Sequence, residues 1–109
     1  MKMVMAIVQR EDAGELSDGL VHRGFRATRI DTAGGFLKSS NVTLLTGVED
    51  SQVEEVLSLI RSHCNRRTVT VNPTASSVVP GQFYVPFTME VEVGGATVFV
   101  LPVDHFERI

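Results

Sequence analysis

The feature that most restricts how this chain can fold is a pattern stated twice. An apolar run, Met3 to Gln9, meets Arg10-Glu11-Asp12 and then Ala13, Leu16, Leu20 and Val21 at helical spacing. A second run, Asn41 to Val48, meets Glu49-Asp50-Ser51 and then Val53, Val56, Leu57 and Ile60 at i, i+3, i+4 and i+7. Asp12 with Glu15, and Ser51 with Glu54, have the spacing of capping boxes at two helix starts. Gly24 supplies a stop for the first helix, and Arg61 and His63 suit the end of the second, where the helix dipole favours positive charge. Phe25 to Thr32 alternates and reads as a strand. Met3 to Gln9, apolar with little alternation, reads as a strand buried on both faces.

Two βαβ halves in 109 residues point to an α+β chain of the ferredoxin-like βαββαβ type, an antiparallel sheet with both helices on one face. A flavodoxin-like parallel sheet would need more helices than the two visible. The face opposite the helices is then apolar and wants cover, which predicts that copies associate. Gly14 and Gly19 each weaken the first helix by about 1 kcal/mol relative to Ala, so packing must hold it. After the second helix, Thr68 to Val71 reads as a short strand. Residues 72–86, with Pro73, Pro80 and the serine pair Ser76-Ser77, read as a flexible loop of a length that commonly binds or gates something. Met89 to Val93 alternates, Gly94-Gly95 has the composition of a two-residue hairpin turn, and Ala96 to Val103 is a last strand whose Pro102 belongs at an edge.

The chain is one domain by length, residues 1–109. Ten basic and thirteen acidic residues leave a net charge of −3, which disfavours partners that need a broad positive field, nucleic-acid polymers and membrane surfaces among them. A single cysteine, Cys64, excludes an intrachain disulfide framework. The apolar start ends too early for a signal sequence and no run approaches the ~20 residues of a membrane span, so the expectation is a cytoplasmic protein. His22, His63 and His105 lack metal-ligand spacing, and Asp104-His105 has no further ligand beside it. Glu11, Asp12, Glu49 and Asp50 are explained by helix capping. Neither a nucleophile elbow nor a phosphate-binding Walker loop is present. Nothing points to an enzyme, a cofactor or a resident metal.

Ligand binding has better support. Arg26 and Thr28 share one side of the second strand and offer a forked cation and a hydroxyl to a phosphate. Gly34-Gly35 can turn backbone N–H groups toward an anion. Phe36 and Leu37 need cover that a base plane would supply, and Asn41 carries the donor and acceptor that suit a base edge. On spacing alone, an apolar loop that docks a neighbouring subunit accounts for these residues equally well.

At Phe25-Arg26-Ala27-Thr28, Gly34-Gly35-Phe36-Leu37, Thr46-Gly47-Val48-Glu49-Asp50 and the run Val91 to Asp104, the chain resembles the PII-like cyclic di-AMP receptors, small bacterial signalling proteins. The resemblance runs from Met1 to Phe106. It implies a homotrimer of ferredoxin-like subunits that binds cyclic di-AMP in clefts between subunits, without catalysis, and changes loop conformation to regulate a protein partner. The matching contact positions are Arg26, Thr28, Gly35, Phe36, Leu37, Asn41 and Gly47. The resemblance places Arg26 and Thr28 near phosphate and ribose, Phe36 and Leu37 over an adenine, and Asn41 at its edge. It also makes the loop after the second helix and the shorter loop after the second strand the frame of the ligand. Four positions depart from the family's usual pattern. Gly24 stands for Asn, Ser40 for Gly and Arg108 for Gln, and Pro73-Thr74-Ala75-Ser76-Ser77 stands for a Pro-Met-Gly-Gly stretch. These departures keep two alternatives in view: a PII-like sensor of another nucleotide such as ATP or ADP, and a structural trimer that binds metal through Asp104 and His105.

Overall fold

Apolar side chains at every second position of two neighbouring strands organise the chain. A computed structural model describes residues 1–31, 41–71 and 88–109. In order these form β1 (Lys2–Gln9), α1 (Arg10–His22), β2 (Thr28–Asp31), β3 (Asn41–Val48), a 3-10 turn (Asp50–Gln52), α2 (Val53–His63), β4 (Arg67–Val71), β5 (Met89–Val93) and β6 (Ala96–Pro102). β2, β3, β1 and β6 lie side by side in that order, and every pairing is antiparallel. This is the expected ferredoxin-like order, with β6 as the fourth strand and a separate β4–β5 pair inserted before it.

Val4, Ala6 and Val8 of β1 and Val42, Leu44 and Val48 of β3 turn to the helices and are buried with Leu16 and Leu20 of α1 and Val56 and Ile60 of α2. The other face of the sheet carries Met3, Met5 and Ile7 of β1 and Leu45 of β3, which are half-buried, and Ile30 of β2 and Phe99 and Leu101 of β6, which are exposed by 48%, 49% and 41%. β1 is therefore buried on one face only, not on both. The second face is apolar and open, as a sheet with both helices on one side requires.

Four local expectations are corrected. The first helix begins at Arg10, and Asp12 sits inside its first turn. Asp12 is 5% exposed and its Oδ1 is 2.8 Å from Arg67 Nη2, so it is a buried ion-pair partner and not a cap. The turn into α2 is closed two residues earlier than Ser51 and Glu54 imply: Gln52 Oε1 accepts the Glu49 N–H at 3.0 Å. β2 spans only Thr28–Asp31, because Phe25 turns into the core. Gly94-Gly95 is not a hairpin turn, because β5 pairs with β4 while β6 pairs with β1. The two glycines make the corner between two sheets, with φ of +90° and +87°. The expected loop 72–86 lies outside the described residues.

The α1 stop has a specific geometry. Gly24 N–H donates to the Val21 carbonyl and Phe25 N–H to the Leu20 carbonyl, both at 2.9 Å. These are the paired bonds of a Schellman motif, with Gly24 at its left-handed position, φ +86°. Phe25 then packs in the core with Leu20, and that anchor sets where Arg26 and Thr28 emerge. Gly is favoured at such a φ and Asn is the next most tolerant residue, so the exchange of Asn for Gly at this position is compatible with the backbone.

Two alanine substitutions should act in opposite directions in urea unfolding. A Cβ on Gly14 meets nothing within 4 Å, so Gly14→Ala should stabilise by about 1 kcal/mol through helix propensity. A Cβ on Gly94 would strike the Asn65 carbonyl oxygen from a left-handed backbone, so Gly94→Ala should destabilise by at least about 2 kcal/mol.

Candidate functional site

The nominated residues within the described chain fall into two groups at opposite ends of β3. Thr28 is the register partner of Leu45, and Gly47 that of Met3. Strand alternation therefore puts Thr28, Leu45, Gly47 and Met3 on the open apolar face. With Arg26, Gly24, Phe106 and Arg108, these residues line a cleft of about 480 Å³. No acidic side chain is among its described lining residues, and its charged groups are the guanidiniums of Arg26 and Arg108 and the Met1 ammonium, the last 3.0 Å from Asp50 Oδ1. Gly47 leaves room within it, since a Cβ there meets nothing within 4 Å.

Asn41 is elsewhere. It pairs with Gln9 at the far end of β1 and lines a smaller hollow of about 210 Å³ with Gln9, Arg66 and Gly94. Six residues of strand separate Asn41 from Gly47, roughly 20 Å at ~3.4 Å per residue. Gly35, Phe36 and Leu37 lie outside the described residues. A further groove, about 520 Å³, runs between α2 and β6. It is lined by none of the nominated residues, and its apolar floor belongs to the packing of Ile60, Cys64 and Val98.

Phe106 and Arg108 are the cleft residues that periodicity could not nominate. They follow the last strand in a segment without regular structure, brought back by the Val103 N–H donating to the Met1 carbonyl at 3.2 Å. Arg108 was visible only as a departure from the family pattern. His105 Nε2 lies 3.1 Å from Glu107 Oε2, and among the described residues no three His, Cys, Asp or Glu side chains gather as metal ligands would.

Asp12, Arg67 and Cys64 form a separate charged cluster at the base of β4. Burial, reinforced by the negative charge of Asp12 and opposed by Arg67, pushes the Cys64 thiol up to about 11. At 3% exposure it should be inert. Iodoacetamide at pH 8 should label native Cys64 at least about 100-fold more slowly than the urea-unfolded chain, from the thiolate fraction alone. Because the folded pKa lies above the unfolded one, this thiol's contribution to stability is complete below pH 9.0. It is lost as pH rises through about 11.

The family model described as cyclic-di-AMP receptor matches residues 1–109. A solved structure, described as a functionally unknown protein from Pediococcus pentosaceus ATCC 25745, is 44% identical. The match covers 99% of this chain and 96% of that one, with a TM-score of 0.76.

Proposed function

Since this chain belongs to the cyclic-di-AMP receptor family, we propose that it is a non-catalytic signalling protein that takes up the dinucleotide between subunits of a homotrimer. The observation that carries this reading is the position of the cleft. It opens on the apolar sheet face, and Met3, Leu45 and Gly47 belong to both. A second copy packed on that face would wall the cleft. Apolar area of this kind, left open beside a polar pocket, is what subunit contact covers.

The separation of the nominated residues favours the same arrangement. Arg26 and Thr28 would hold a phosphodiester, with Arg108 as a second guanidinium for the other. A base edge read by Asn41 of the same chain would lie roughly 20 Å away along β3. Asn41 of a neighbouring copy brings the two groups together around one ligand. Gly35, Phe36 and Leu37, which precede β3, would cover the base. Ligand uptake would then alter the loops and favour one state of a protein partner's docking surface. The working compartment would be the cytoplasm.

Isothermal titration with cyclic di-AMP, cyclic di-GMP and ATP tests the ligand. Cyclic di-AMP should give saturable heat with a Kd in the micromolar range or tighter, and the other two much weaker binding. Arg26→Ala should lower affinity about 10- to 100-fold, the loss of a charge-assisted phosphate contact. Tighter binding of ATP than of cyclic di-AMP would overturn the ligand assignment.

A further inference from the structure

Two side chains at the β1–α1 junction hold the base of the β4–β5 hairpin. Gln9 Oε1 accepts the Gly94 N–H at 2.8 Å, and Asp12 Oδ1 receives Arg67 Nη2, also at 2.8 Å. Arg67 Nη1 donates to the Asn65 carbonyl at 3.2 Å, and the Gly95 N–H donates to the Cys64 carbonyl. The start of β4 and the end of β5 are thus fixed to one short stretch of chain. Beyond that base, among the described residues, β4 and β5 pair with each other and with no other strand. They form an arm attached at one end, and residues 72–88 lie between its two strands in the chain.

On its other side, Gln9 stands opposite Asn41 in the β1–β3 register. Gln9, Asn41, Gly94 and Arg66 line one hollow. A single primary amide therefore lies between a nominated ligand residue and the backbone corner that sets the arm. A glutamine amide carries its acceptor and its donors on one plane. With the acceptor held by Gly94, the donors are committed in direction, and any group that rotates the plane loosens the Gly94 bond.

The second clasp can change geometry as well. Asp12 Oδ2 is buried without a hydrogen-bond partner among the described residues. The Arg67–Asp12 contact is thus made through one carboxylate oxygen, while a carboxylate and a guanidinium can also meet through two parallel bonds. A bidentate contact would satisfy Oδ2 as well and would give the arm's base a second arrangement.

We propose that Gln9 is a positioning residue that couples occupancy of the Asn41 end of the nucleotide site to the setting of the β4–β5 arm. The inference rests on the preceding reading, that Asn41 meets cyclic di-AMP. A ligand engaging Asn41 reorients the Gln9 amide, loosens its bond to Gly94, and shifts the arm from its present clasp geometry. The arm is then the element that reports ligand to a partner, and Gln9 is needed for the report rather than for binding.

Hydrogen–deuterium exchange of the full chain, with and without cyclic di-AMP, reads this directly, beside titration calorimetry on the same samples. In the natural protein, ligand should change exchange in peptides covering residues 66–71 and 88–95 at least about threefold. Gln9→Ala should bind within about threefold of the natural protein yet lose that change. Gln9→Glu, which keeps an acceptor for the Gly94 N–H but has no donor to turn toward Asn41, should keep the unliganded exchange of the arm and still lose the ligand-induced change. Binding heat without any exchange change in the natural protein overturns the coupling alone, as does a Gln9→Ala protein whose arm still responds. Absence of heat in the natural protein overturns the ligand reading and the coupling with it.

Discussion

Everything in this subunit is referred to β1 and its alternation. The strand is paired on both sides, by β3 and β6, so its even positions fix what the helices cover and its odd positions fix what stays open. A slip of one residue in register would exchange the two sets. Val4, Ala6 and Val8 hold α1 and α2 against the sheet. Met3, Met5 and Ile7 pass to the other face the problem of apolar surface without a cover. The first set makes the fold possible for a single chain, and the second leaves that chain with an open apolar face.

The site inherits that division. The Schellman stop at Gly24 and the buried Phe25 deliver Arg26 and Thr28 to the open face beside Gly47, where the returning C-terminal segment adds Phe106 and Arg108. β3 carries Asn41 to the opposite end of the same face. The distance between them is a consequence of strand geometry, which no side-chain rotation removes. Membership of the cyclic-di-AMP receptor family gives the ligand class, and the geometry of one chain sets Arg26 and Thr28 at one end of β3 and Asn41 at the other. At the far end, Gln9 and Asp12 hold the base of the β4–β5 arm beside Asn41, through the Gly94 N–H and Arg67.

Much of this was legible in the residues. The repeated strand–acidic–helix pattern gave the βαββαβ order, and the apolar spacing of Val53, Val56 and Ile60 gave α2. The positions that misled were those where tertiary contact outweighs local pattern. Asp12 has the spacing of a cap, but Arg67, 55 residues on, recruits it into a buried pair. Gly94-Gly95 has the composition of a hairpin turn. Its flanking strands pair with partners far away in sequence, and only the pairing distinguishes a hairpin from a corner between sheets. Arg26, Thr28 and Asn41 carry groups that suit a nucleotide, but their spacing in the sequence does not show that a strand's length holds Asn41 apart from the others. Phe106 and Arg108 carry no periodic signal, because a backbone bond to Met1 rather than a regular element brings them to the cleft.

The central claim is that one ligand site is built from two subunits, and subunit complementation tests it most directly. Arg26→Ala and Asn41→Ala proteins, each deficient alone, would be co-expressed and the mixed assemblies titrated with cyclic di-AMP. If Arg26 and Asn41 act on one ligand from neighbouring copies, about a quarter of the sites in a random mixture should regain natural affinity. No recovered sites, in assemblies shown to contain both kinds of subunit, would contradict the account and place the site within one chain.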